Sequence, residues 1–159
     1  MKITFIRHGE AVKVELCTME EDKKRPLTPR GREIVRERFQ KLRNLLGSEK
    51  KEIWTSPLVR ARQTAEILSK TINIPITLED FLVVANSEDL RKALDVRKDL
   101  NLHLFIVTHE PFISDFLREI TGERILVHTG DIFTIDLYDM ENYKGQILLD
   151  ECFDSSRKE

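Results

Sequence analysis

Cysteine is nearly absent from the 159-residue chain, which holds only Cys17 and Cys152. A disulfide-stapled scaffold and a four-thiolate zinc site are thereby excluded, and the chain reads as a reduced, cytoplasmic protein. Also missing is any apolar run near the ~20 residues of a membrane span. The N-terminus reaches Arg7 too soon for a secretory signal. Neither charge dominates: Lys and Arg total 26 against 28 Asp and Glu, a formal net charge of −2. That balance argues against a dedicated nucleic-acid binder, as does the lack of an aromatic–basic platform. Linkers, low-complexity stretches and internal repeats are lacking too, so residues 1–159 are expected to form one domain. What remains is a chain 40% hydrophobic, enough for a packed core.

Apolar runs and breaker residues divide that core material into elements. Residues 3–6 (Ile-Thr-Phe-Ile) read as a buried strand, and the polar stretch 12–25 as a long loop. Thr28 and Pro29 give an N-cap followed by a first-position proline. Val35, Phe39, Leu42 and Leu46 then recur at helical spacing, with Gly47 as the stop. Ile53-Trp54-Thr55 predicts a second strand, and Ser56-Pro57 repeats the cap-plus-proline signal before a helix bearing Ala61, Ala65, Leu68 and Ile72. A third strand is expected over 74–78, then a Ser87-capped helix carrying Leu90, Ala93, Leu94 and Leu100. Leu102 to Val107 is the strongest buried strand. Pro111 opens a helix with Phe112, Phe116 and Ile120, closed by Gly122. From residue 132 the period changes to two, predicting a hairpin of 132–138 with 146–153. The expected fold is a three-layer α/β/α sandwich with a mostly parallel sheet and an antiparallel C-terminal edge hairpin.

Chemistry-bearing residues gather at predicted strand ends, where α/β sheets bind their ligands. Arg7-His8-Gly9-Glu10 follows the first strand, and Gly9 permits a sharp turn and close approach of a ligand. Thr108-His109-Glu110-Pro111 follows the strongest one. After the second strand, Arg60 and Arg62 fall in the first turns of a helix, and a helix start flanked by arginine favours an anion. Arg62, two positions on, points away from Arg60, toward solvent. Taken singly, each is an ordinary residue: a strand-end histidine held by hydrogen bonds, a surface arginine. Taken together, three strand ends deliver arginine or imidazole to one rim. His103 reads as packing, His128 as a loop residue beside Thr129, and Lys23-Lys24-Arg25 as a charged loop that could steer an acidic partner. The histidines lack zinc spacing, so no metal site is expected.

The ordered motifs resemble the histidine phosphatase superfamily, with its phosphoglycerate mutase-like fold, and among its branches the SixA-type phosphohistidine phosphatases. They are Ile6-Arg7-His8-Gly9-Glu10, Arg25-Pro26-Leu27-Thr28 with Gly31, Ser56 through Ala65, and Val107 through Pro111. The resemblance implies that His8 is the nucleophile and carries a transient phosphohistidine. Arg7 and Arg60 would bind the equatorial phosphoryl oxygens, and His109 would donate to them. Those four groups stand in for the metal ions of other phosphoryl-transfer enzymes, so no cofactor is implied. Glu110 departs from the Asn that many SixA-type relatives carry and resembles the proton-donating carboxylate of the acid phosphatase branch. Glu79 and Asp80 are its rivals, and first-turn placement on a helix is its purely structural role. Thr129 resembles the family's late threonine near the pocket.

The implied activity is a metal-independent phosphatase acting on phosphohistidine in a protein. A small-molecule phosphomonoesterase of the same superfamily is the first alternative. A mutase needs more covering chain than residues 78–87 provide. An inactive phospho-ligand module should have lost His8 or an arginine, and both are present.

Overall fold

The computed structural model describes residues 1–97 and 101–151. The expectations for Leu100, Cys152 and Phe153 therefore lie outside the described residues. In chain order the elements are β1 (Lys2–Arg7), α1 (Met19–Lys23), α2 (Pro29–Arg43), β2 (Lys50–Thr55), α3 (Val59–Ile72) and β3 (Ile76–Leu78). They continue with a 3-10 turn (Asp80–Val84), α4 (Ser87–Asp95), β4 (Leu102–Thr108), α5 (Phe112–Thr121), β5 (Ile132–Asp139) and β6 (Lys144–Glu151). The six strands form one sheet in the order β3-β2-β4-β1-β5-β6. Pairings from β3 to β1 are parallel, and β5 and β6 extend the sheet antiparallel, as expected.

Strand alternation explains the layers. Ile3, Phe5, Leu104 and Ile106 pack with Leu90 and Leu94 of α4 and Phe112, Phe116 and Ile120 of α5. Ile6, Phe105 and Val107 point to the other face and meet Val35, Phe39 and Leu42 of α2 and Ala61, Ala65 and Leu68 of α3. A strand covered on both faces is apolar along most of its length, which is why β4, buried at all seven positions, has the plainest sequence signal.

Four local expectations are corrected. Helix α2 ends at Arg43 with Asn44 as its cap, short of Gly47, because the next turn tightens to bonds from Asn44, Leu45 and Leu46 back three residues. Leu46 still packs on the core. The stretch 12–25 contains α1, closed by a capping box between Thr18 and Glu21. It buries no residue, so it leaves no apolar period to read. Asn86, not Ser87, caps α4, its side chain accepting from Asp89 N–H at 2.9 Å. Ser56 does not cap α3: Leu58 stands at that position without a side-chain cap, and the Ser56 hydroxyl accepts from Leu58 N–H at 3.3 Å, ahead of the helix.

Candidate active site

Sheet register brings the two histidines level. Arg7 pairs with Thr108 across β1 and β4, so His8 and His109 leave adjacent strands side by side, with ring centroids 5.2 Å apart. β2 lies on the other side of β4 in register Thr55 to Val107, and this sets Ser56 beside His109. The Ser56 Oγ to His109 Nε2 distance is 2.7 Å. Ser56 is one site residue that sequence reasoning missed, since a Ser-Pro pair looks like a helix cap. A spare hydroxyl directly after a strand was the signal available.

His8 is held from several sides. Its backbone N–H donates to Thr108 O at 3.2 Å, and Gly130 N–H bridges the Arg7 and His8 carbonyls at 3.0 Å each. Its Nδ1 sits 2.8 Å from Gly9 O. A carbonyl can only accept, so in the neutral ring Nδ1 carries the proton and Nε2 keeps its lone pair. Gly9 N–H donates to Thr64 Oγ at 3.0 Å, and the Thr64 hydroxyl donates to Arg60 O at 2.8 Å. That buried pair of bonds fixes the nucleophile loop to the turn bearing Arg60. The close approach at Gly9 is to α2: a Cβ there would meet Val35 Cγ1 at 3.1 Å and Gly31 O at 3.2 Å.

The arginines are partly engaged. Arg7 Nη1 donates to Val127 O at 2.9 Å, and Arg60 Nη1 and Nη2 meet Asp22 O and Oδ2 at 3.0 and 3.3 Å. The Nε atoms of both, and Nδ1 of His109, are buried with no partner among the described residues. Buried donors left open beside one another are suited to an oxyanion.

Burial lowers His8 to a pKa of about 4, assisted by the charges of Arg60, Arg7 and Arg25 and opposed by the Gly9 bond. Burial likewise lowers His109 to about 3, with His8 and the two arginines adding to it. His103, buried between β strands with Nε2 2.7 Å from Thr4 Oγ, is lowered to about 4 for the same chief reason. Each ring is thus neutral in the fold but takes up a proton near its ordinary value of 6.5 when unfolded. Between those values the unfolded chain binds more protons, so stability must fall as pH falls. The urea midpoint is expected to drop between pH 7.5 and pH 5, above the range where carboxylates contribute. An unchanged midpoint would contradict neutral burial of these rings.

Arg60 and His109 open into a cleft of about 450 Å³ that Met19, Asp22, Leu58, Val83, Val84 and Glu110 also line, whereas Arg7 and His8 lie outside its lining. Glu110 lines the cleft and also accepts from Ser114 N–H at 3.0 Å, standing one residue ahead of the Pro111 cap of α5 rather than in its first turn. Thr129 is exposed and lines a separate hollow with Gly9, Glu10, Arg38 and Gly130. Glu79 and Asp80 do not line the main cleft. Arg62 pairs with Glu66 on the exposed side of α3, and His128 is half-buried rather than exposed. Among the described residues no group of three or more His, Cys, Asp or Glu is placed to hold a metal ion, and no helix is long and apolar enough to cross a membrane.

Fold and site together describe an α/β protein whose strand ends gather two histidines and two arginines. The signature of the histidine phosphatase superfamily (branch 1) matches residues 3–90, more than half of the chain, and the chain belongs to that superfamily. An uncharacterized protein of Picosynechococcus sp. is 44% identical over 72 residues, which is 43% of this chain and 40% of that protein's length. The protein histidine phosphatase SixA, solved with tungstate, superposes with a TM-score of 0.80 at 22% identity, covering 94% of this chain and 95% of the other. A phosphoserine phosphatase from Entamoeba histolytica gives 0.70 at 16% identity over 95% and 96% of the two chains. The mycobacterial glucosyl-3-phosphoglycerate phosphatase gives 0.69 at 12% over 93% and 97%. At these identities the solved structures establish the shared fold.

Proposed function

We propose that residues 1–159 act as one cytoplasmic catalytic domain that removes phosphoryl groups through a phosphohistidine on His8, and that its substrate is phosphohistidine in a partner protein. The observation that carries the chemistry is the bond from His8 Nδ1 to Gly9 O, which leaves Nε2 as the nucleophile. Nε2 attacks phosphorus in line as the bond to the substrate nitrogen breaks, and the departing imidazole takes its proton from solvent. Arg7, Arg60 and His109 receive the equatorial oxygens, His109 gaining basicity as the dianion enters. Water then attacks phosphorus, the bond to His8 Nε2 breaks, and inorganic phosphate leaves.

The rim supports a protein substrate. Met19 and Val84, both lining the cleft, are 80% and 85% exposed. Apolar groups around a cationic pocket suit an apolar protein surface carrying the phosphorylated side chain. The SixA likeness agrees with this reading. Glu110 supports a second one, a small phosphate ester, because it lines the cleft and can protonate an alkoxide, which leaves poorly unaided.

A substrate comparison tests both. At fixed enzyme concentration, a phosphohistidine protein should be hydrolysed faster than sugar phosphates or phosphoglycerates. Glu110→Gln should slow any ester hydrolysis by ~10²-fold while barely changing the phosphohistidine rate. Faster turnover of an ester would overturn the protein-substrate reading, and equal small effects on both would remove Glu110 as the acid.

A further inference from the structure

Residues 12–24 form a strap at the cleft with almost no packing of their own. Helix α1 buries no residue, and Leu16 is 93% exposed. Polar contacts hold the strap instead. Val12 N–H donates to Pro26 O at 2.8 Å, Arg25 Nη1 to Val12 O at 2.8 Å, and Arg25 Nε to Asp22 Oδ1 at 2.8 Å. A further contact is the one to Arg60, made by both the carbonyl and the carboxylate of Asp22. A negatively charged oxygen therefore already lies on the arginine that the site offers to a phosphoryl group, inside the same cleft as His109.

We propose that Asp22 is an internal competitor for the phosphoryl site: it occupies the terminal nitrogens of Arg60, and an entering phosphoryl group displaces it and loosens the strap. This rests on the reading of Arg60 as a phosphoryl ligand. Asp22 stays ionised, because Arg25 and Arg60 beside it hold its carboxyl below the ordinary range despite some burial. The competition accordingly persists wherever ordinary carboxylates are ionised. It sets affinity, and so determines which substrates bind. A free phosphate ion brings only its oxygens to the contest, whereas a phosphorylated protein adds contacts at the apolar rim. Displacing Asp22 costs both ligands the same, so it is the rim contacts that let the phosphorylated protein bind in spite of it while free phosphate is left weakly held.

The test is calorimetric titration of inorganic phosphate onto the full chain. Asp22→Asn keeps the shape of the side chain and removes the charge, and it is expected to bind phosphate ~10-fold more tightly. Asp22→Glu should stay within ~3-fold of the wild type, since it keeps the charge. Saturating phosphate should also speed tryptic cleavage after the exposed Lys23 and Lys24 in the wild type. If Asp22→Asn binds phosphate equally or more weakly, the carboxylate merely orients Arg60 and the proposal fails. Protection from trypsin by phosphate would overturn it as well. Binding is read without turnover, so a chain that binds phosphate normally yet forms no phosphoenzyme would refute the His8 mechanism and leave this inference standing.

Discussion

His8→Ala should lower turnover by at least ~10⁴-fold and abolish covalent phosphoryl labelling of the chain. The size follows from removing the only group that can form the new bond to phosphorus while leaving the rest of the pocket. Arg7, Arg60 and His109 would still bind and polarise a phosphoryl group, so a small residual rate from water attack is expected. The fold should survive, because the main chain at this position is held independently of the ring, by Thr108 O and Gly130 N–H. Phosphate binding therefore serves as the control. The variant should retain it within ~10-fold, having lost a neutral ring rather than a charge. Rapid-quench labelling with a radioactive phosphohistidine protein, run beside phosphate calorimetry, reads both quantities. Full turnover in His8→Ala would end the proposed mechanism. A wild-type chain that binds phosphate but neither labels nor turns over would instead be an inactive phospho-ligand module.

The sequence disclosed strand ends better than it disclosed what surrounds them. β4 was plain because it is buried on both faces, and the parallel pairing of β1 with β4 then obliges the residues after Arg7 and Thr108 to meet. His8 and His109 were legible for that reason, and Arg60 because a fixed number of residues separates it from the end of β2. Asp22 and Ser56 were not. Asp22 belongs to a short helix that buries no side chain, so hydrophobic periodicity, the main local signal, is absent there. Ser56 carries a residue pair whose usual meaning is a cap, and only the β2–β4 register turns its hydroxyl toward His109. The end of α2 was misplaced by a different cause. Gly47 was available as a stop, but i to i−3 bonds had already closed the helix at Asn44.

Arg60→Ala is the second large effect, an expected loss of ~10²- to 10³-fold in kcat/KM, the range for deleting one preorganised donor to a developing anion. Arg60 is 8% exposed, and its Nε has no partner among the described residues. In the proposed reaction it would meet the phosphoryl group from a position that water cannot readily replace. Arg60→Lys should recover only a minor part of the loss. An ammonium restores charge but not the planar fork that takes two oxygens at once, nor the simultaneous grip on Asp22. Some of the alanine defect has a separate origin. With Arg60 gone, Asp22 remains at the cleft as a carboxylate that repels the dianion, its remaining partner being Arg25. Asp22→Asn added to Arg60→Ala should therefore restore ~3- to 10-fold of kcat/KM. The double-mutant cycle separates the two contributions. If the second substitution restores nothing, repulsion by Asp22 is negligible and the whole loss belongs to the missing guanidinium. If Arg60→Lys matches the wild type, charge alone suffices, and the directional hydrogen bonds assigned to Arg60 contribute nothing to the transition state.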